Sequence, residues 1–388
     1  MELMIQFDFS TSPRILFRLG AIKEIGKIAS EFGNRVLLVM GKHLQVASAA
    51  IQNLIESGFT ITEYIREGEP TDQIIKDGLN LAKSAGVDMV VACGGGSSID
   101  TGKAISAMMT NPGELEDYLE VVGKSLPLLN QAAPFIAIPT TAGTGSEVTR
   151  NAVIRIISHG IKVSLRGQKI IPRIAIVDPE LTLGLPPEVT AYTGMDALTQ
   201  LIEPYLTLKA NPLSDALCLE GMKLSRKSLL KAFDSGNDLS AREDLSLASL
   251  FSGIALANSG LGGVHGIAGV IGGMTPAPHG ALCARLLPYV FEVNASLIHR
   301  AGKDSATYEK LLLIGRILLD SDSHEIDKTV KYLEDLGRKL KIGGLQSYGV
   351  NAKDFPSIIE HSLTSSSMKG NPVALSKEQI KRILEKAL

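Results

Sequence analysis

The chain has 388 residues, 45% of them hydrophobic and 21% charged, which suits a globular protein with ample core and leaves room for two or three domains of about 150 residues each. With a formal net charge of -2, nothing in the balance favours nucleic acid or an anionic membrane surface as a partner. Cys93, Cys218 and Cys283 are scattered without CxxC spacing, which argues against a disulfide framework and for a reducing, cytoplasmic setting.

In chain order, "MELMIQFDFSTS" has neither the basic start nor the apolar run of a signal peptide. "RVLLVMG" (35–41) reads as a strand, "VASAAIQNLIESG" (46–58) as a helix and "FTITEYI" (59–65) as a strand. "DQIIKDGLNLAKSAG" (72–86) follows as a helix and "DMVVACG" (88–94) as a buried strand. The strand signal returns in "PFIAIPT" (134–140) and "RIAIVDP" (173–179). This rhythm is that of a parallel sheet with crossover helices. After "DPELTLGLPPEVT" (178–190) no comparable β-rich run appears, and helical periodicities carry the chain to Leu388. The expected division is therefore an α/β domain over residues 1–184 and a helical domain over 185–388.

Two loops follow predicted strands. In "VVACGGGSSIDTGKAI" (90–105), Gly94, Gly95 and Gly96 let backbone N–H groups approach a ligand. Ser97 or Ser98 is placed to cap the next helix, whose N-terminus favours an anion such as a pyrophosphate. Ile99 stands where GxGxxG would have its third glycine, so a plain tight turn remains the other reading. In "PTTAGTGSEVT" (139–149), Thr140, Thr141, Thr144, Ser146 and Thr149 supply hydroxyls, and Gly143 and Gly145 free the backbone. Two such loops at strand C-terminal ends lie where open α/β sheets bind ligands. The first strand ends in "MGKH". Gly41 offers no carboxylate to repel a 2′-phosphate, and Lys42 and His43 would attract one, which tilts the expectation from NAD towards NADP(H).

In "GMDALTQLIEPY" (194–205), Asp196, Gln200 and Glu203 share one helical face, and the i, i+4 spacing of Asp196 and Gln200 suits a grip on one ion. Gln200 is a weaker donor than the His usual at such a spacing. The 40 residues from Leu245 to Ala284 hold no Asp, Glu, Lys or Arg, yet their nine glycines and two prolines favour a deeply buried pair of helices over a membrane span. That stretch carries His265 and His279. A cation shared with Asp196 would compensate the burial of all three groups.

These pieces together resemble the iron-containing (group III) alcohol dehydrogenases, whose overall fold is that of dehydroquinate synthase and glycerol dehydrogenase. The resemblance runs through "GGGSSIDTGKAI", "PTTAGTGSEVT", "DPELT", "GMDALTQLIEPY", "GLGGVHGIAG", "PHGALCARLLP" and "NPVALS" (371–376). It implies an N-terminal dinucleotide-binding α/β domain, an all-α C-terminal domain and an active site in the cleft between them. It places Gly41, Gly95, Gly96, Ser97, Asp100, Thr140, Thr141, Thr144, Ser146, Thr149 and Lys162 at the cofactor, although from spacing alone Lys162 in "HGIKVSLRG" reads equally well as an exposed Lys on a hairpin. The family's Asp and three His ligands fall on Asp196, Gln200, His265 and His279. Gln200 departs from that pattern, as does Gly269, where the family's HxxAHxxG places a second His near the nicotinamide.

The activity implied is NAD(P)-dependent alcohol dehydrogenase or aldehyde reductase at a divalent metal, Fe²⁺ or Zn²⁺, in a cytoplasmic homodimer. The partners implied are small-molecule alcohols and aldehydes, without nucleic acid or membrane. Gln200 leaves metal loading open, so a metal-free reductase and a cofactor-binding protein without catalysis stand as alternatives. A carbon–oxygen lyase of this fold would need a basic pocket, which the charge-free stretch does not supply.

Overall fold

The computed structural model describes residues 6–42, 45, 47–302, 305–322 and 325–388. Strands β1 (Arg14–Phe17), β2 (Arg35–Met40), β3 (Thr60–Ile65), β4 (Met89–Gly94), β5 (Phe135–Pro139) and β8 (Ile174–Val177) form a parallel sheet ordered β1-β8-β5-β4-β2-β3. Strands β6 (Asn151–Ile156) and β7 (Ile161–Arg166) form a separate antiparallel hairpin. The crossovers carry α1 (Ile25–Ala29), α2 (Ser48–Glu56), α3 (Asp72–Ala85), α4 (Gly96–Thr110) and the short α5 (Leu115–Tyr118). Parallel strands covered on both faces must be apolar on both faces. The central β4 accordingly buries every residue from Met89 to Gly94, whereas the edge strand β3 fully buries none of its residues.

The chain reverses direction across the sheet between β2 and β4. After β2 it steps outward to β3, then crosses back to β4 and continues to β5 and β8. The loops leaving β2 and β4 therefore diverge at their C-terminal ends and open a crevice. Asp178, at the end of β8, accepts from Gly20 and Glu180 N–H through Oδ1 (both 3.1 Å) and from Ile22 N–H through Oδ2 (3.2 Å). That one carboxylate fixes the exit from the sheet against the segment after β1.

Pro186 and Pro187 preset the start of α6 (Pro187–Leu206), since proline's fixed φ suits the first helical turn. Then follow α7 (Pro212–Asp234), α8 (Leu239–Ser259), α9 (Gly263–Met274), α10 (His279–Ala301), α11 (Ala306–Leu319), α12 (Ile326–Lys339), α13 (Phe355–Thr364) and α14 (Lys377–Ala387). Their apolar faces share one core that includes Met195, Leu201, Met222, Ile267, Leu286 and Ile383.

The strands expected at 35–41, 59–65, 88–94, 134–140 and 173–179 all form, each slightly shorter than its apolar run. The helix expected over 46–58 is α2, with Val46 outside the described residues. The charge-free stretch is not one pair of helices. It comprises the end of α8, all of α9 and the start of α10, with a 99° bend between α8 and α9. α10 is long and apolar enough to cross a membrane, but 78% of its most apolar stretch is buried inside the fold.

Candidate active site

The crevice at the sheet's C-terminal end is lined by glycines that cannot carry side chains. A Cβ on Gly96 would lie 2.7 Å from Thr144 Oγ1, and one on Gly94 would lie 2.3 Å from Ser98 Oγ. The two loops thus touch, and their contact requires glycine. Gly41, at the end of β2, has only Ser98 Oγ near its Cβ position, at 4.0 Å. Helix α4 starts behind Gly95 with no side chain capping it. Ser98, one of the two expected caps, instead accepts a hydrogen bond from Arg66 Nη2 at 2.9 Å. An uncapped helix start beside glycines at a topological switch point suits a pyrophosphate. Gly95, Gly96, Ser97, Thr140, Thr141 and Thr144 are partly exposed along this crevice.

Asp100, Ser146 and Thr149 have a different placement. The Ser146 hydroxyl donates to Asp100 Oδ1, and Val153 N–H donates to Asp100 Oδ2 at 3.0 Å. The buried Lys103 ammonium donates to Thr149 Oγ1 and to Asn151 O, both at 2.7 Å. These groups bind the two loops and the hairpin to each other. Lys162, on β7, pairs with Glu69 at 2.5 Å, and its Nζ stands 3.5 Å from a Cβ on Gly272 of α9. It therefore sits where the hairpin meets the helical part. Lys42 pairs with Glu67 at 2.5 Å between two exposed side chains, and His43 lies outside the described residues.

The second loop also docks onto the helical domain. A Cβ on Gly143 would lie 2.7 Å from Thr193 Cβ of α6, and one on Gly145 would lie 2.3 Å from Gly253 Cα of α8. Ser252, beside Gly253, reaches Gly143 O at 3.5 Å and Gln200 Oε1 at 3.2 Å. Helix α6 is thereby held against the cofactor crevice.

On α6, α9 and α10 four donors converge: Asp196, His265, His279 and Cys283, with ligand atoms all within 4.8 Å of one another. Asp196 Oδ1 is 3.4 Å from His265 Nε2 and 3.8 Å from His279 Nε2. Cys283 Sγ is 3.7 Å from His265 Nε2 and 3.6 Å from His279 Nε2. His265 is further held by Glu203, whose Oε2 lies 2.6 Å from Nδ1. Gly280 permits the approach of α10, because a Cβ there would lie 2.1 Å from Tyr192 O. Asp196 is 2% exposed, and its Oδ1 has no hydrogen-bond partner. A buried carboxylate oxygen left unpaired beside two imidazole nitrogens and a sulfur fits a divalent cation.

The electrostatics agree with that geometry. Burial pushes the Asp196 carboxyl up, but His265, His279 and the Gln200 amide outweigh it and hold the carboxyl below its ordinary range. Burial opposes protonation of His265, but Cys283, Glu203 and Asp196 raise its pKa well above the usual value. Cys283 is the largest cause of the raised pKa of His279, whose side chain is 39% exposed and marks the open side of the site.

The structure thus brings Asp196, His265 and His279 together, as expected. Gln200 is buried beside Asp196 with its carbonyl oxygen accepting from Ser252. Sequence reasoning passed over Cys283, although its i, i+4 spacing from His279 puts both on one helical face. It also left Glu203 without a target, because His265 is 62 residues away. Gly269 is exposed, with nothing within 4 Å of its Cβ position.

Residues 12–179 match the family model described as "Iron-containing alcohol dehydrogenase", and residues 190–388 match "Fe-containing alcohol dehydrogenase family, C-terminal". Alcohol dehydrogenase 4 of Saccharomyces cerevisiae (strain ATCC 204508 / S288c) is 35% identical over 387 residues, covering 98% of each chain. The NAD-dependent methanol dehydrogenase of Bacillus methanolicus is 32% identical over 387 residues, covering 98% of this chain and all of its own. A crystal structure of 1,3-propanediol oxidoreductase superposes with a TM-score of 0.92 at 32% identity, covering 99% of this chain and 100% of that one.

Proposed function

Because the chain belongs to the iron-containing alcohol dehydrogenase family, oxidoreductases that act on CH–OH with NAD(P) and a divalent metal, we propose that Asp196, His265 and His279 hold the ion in this protein. The observation that carries this reading is the unpaired, buried Asp196 Oδ1 facing both imidazoles. When bound, the ion supplies a Lewis acid for the alcohol or carbonyl oxygen, and the nicotinamide supplies the hydride acceptor or donor.

The chain's own residues do the remaining work. The glycines at 94–96 and the start of α4 receive the pyrophosphate, and Thr140, Thr141 and Thr144 line the adjoining wall. Asp100, Ser146 and Thr149 fix the two loops to each other through Lys103. Lys162 closes the crevice on the side of α9. Glu203 orients His265 through Nδ1 and leaves Nε2 for the ion. Gly269 brings no imidazole, and His279 marks the side of the site that is open to water.

We place the cofactor domain at residues 1–184 and the metal and substrate domain at 185–388. Gly41 leaves room for a 2′-phosphate, which supports a preference for NADP(H) and hence aldehyde reduction. Specificity constants with both cofactors test this, and a clearly higher value for NAD(H) contradicts it. The same reading takes the enzyme as a cytoplasmic homodimer; β1 lies at a sheet edge suited to pairing with a second copy. Asp196→Asn tests the core of the proposal. It is expected to lose metal and turnover while still binding NADPH, and full turnover without metal would identify a metal-free reductase instead.

A further inference from the structure

Cys283 is fully buried one helical turn beyond His279. We propose that its thiolate is the fourth protein ligand to the metal, taking over from the helix position that Gln200 occupies, and that this donor set favours zinc over harder ions. The inference rests on the reading that Asp196, His265 and His279 hold an ion.

Three independent observations converge on it. First, a tetrahedral ion with bonds of about 2.0 to 2.3 Å keeps its donors about 3.3 to 3.8 Å apart. Of the six separations among the four donors, Asp196–His265, Asp196–His279, Cys283–His265 and Cys283–His279 are 3.4, 3.8, 3.7 and 3.6 Å, and the other two lie within 4.8 Å. The sulfur therefore stands beside both imidazole nitrogens at the separation that two ligands of one ion keep.

Second, the oxygen of Gln200 is turned towards Ser252 at 3.2 Å, while its amide acts on Asp196. Gln200 serves the site by fixing that carboxylate. An amide oxygen spent in this way supplies no donor in the direction of the two imidazoles.

Third, Asp196 Oδ1 is buried and unpaired although a Cys sulfur and two imidazoles surround it. One carboxylate and one thiolate together match the charge of a divalent ion. A thiolate in the set favours zinc over harder ions such as Mg²⁺ or Mn²⁺. His279, on the exposed side, marks the face from which a substrate oxygen would approach as a fifth ligand.

The test is X-ray absorption at the zinc edge on protein stripped with chelator and reloaded with Zn²⁺. The expected result is a sulfur scatterer at about 2.3 Å in the natural chain, replaced by nitrogen and oxygen alone in Cys283→Ser. Loaded with Co²⁺ instead, the natural chain and Gln200→Leu are expected to show a thiolate-to-cobalt charge-transfer band that Cys283→Ser lacks. Zinc affinity is expected to fall by at least about tenfold in Cys283→Ser. Zinc bound by nitrogen and oxygen only in the natural chain overturns the inference while leaving the metal reading intact. No uptake of zinc or cobalt overturns both.

Discussion

Glu203 Oε2 lies 2.6 Å from His265 Nδ1, and the other oxygen of the same carboxylate accepts from Val264 N–H at 2.6 Å. One acid on α6 thus orients a candidate metal ligand and closes the start of α9, whose preceding residue Gly262 brings no capping side chain. Fixing Nδ1 by a carboxylate leaves Nε2 as the ligating atom, as in carboxylate–histidine–metal triads. Glu203→Gln keeps an acceptor but removes the charge. It is expected to lower metal affinity by about 10- to 100-fold with little change in fold, which competition titration against a chelator measures. Unchanged affinity would mean that Glu203 acts only as a cap.

Gly145 and Gly253 join the cofactor loop to α8 backbone against backbone. Gly145 has φ of +58°, and a Cβ on Gly253 would lie 2.3 Å from Gly145 O. Gly253→Ala should therefore cost about 1 to 3 kcal/mol through overpacking, and the cofactor KM should rise because the same loop carries Thr140, Thr141 and Thr144. Thermal unfolding and kinetics check the two halves of this prediction together. An unaltered melting temperature and KM would show that the loop can retreat without consequence.

Glu147 gives the fold a pH dependence. Burial pushes its carboxyl up to about 7 from an ordinary 4.5. A folded-state pKa above the unfolded one means that the native state binds the proton more tightly. That contribution is complete below about pH 4.5 and is lost as pH rises through about 7. Glu147→Gln should therefore gain stability relative to the natural chain between pH 5 and pH 8.5, by on the order of 2 to 3 kcal/mol. Denaturant unfolding at the two values measures it, and a constant difference would count against a buried, ionising Glu147.

Gly269 lies in the interior of α9 with open space at its Cβ position. Gly269→Ala is expected to stabilise the protein by about 0.5 to 1 kcal/mol, the usual cost of glycine in a helix. Gly269→His should fold as well as the natural chain and add an imidazole at this exposed position of α9. A new ionisation in the pH–rate profile of that variant is the expected signature. A loss of stability in both would show that the position is packed.

The sheet was legible because its strands are apolar runs closed by glycine or proline, such as "VVACG" before Gly95. β1 was not, since four residues with partly exposed side chains carry too little pattern. The hairpin of β6 and β7 alternates burial, with Ala152, Ile154 and Ile156 inward, but it entered the sequence reading only as a setting for Lys162. Asp196, His265 and His279 were legible from residue type in an apolar context. Cys283 was hidden because its partners come from three helices and no CxxC marks it. Ser98 was misread as a cap because only the fold reveals Arg66 beside it.

On the proposed reading, hydride transfer takes place at a metal held by Asp196, His265 and His279. The most direct measurement is the turnover of an alcohol with NAD(P) on one preparation before chelation, after it, and after return of Zn²⁺ or Fe²⁺, with bound metal measured at each stage. Turnover should disappear with the metal and return in proportion to the ion bound. Undiminished turnover in protein shown to be free of metal would contradict it.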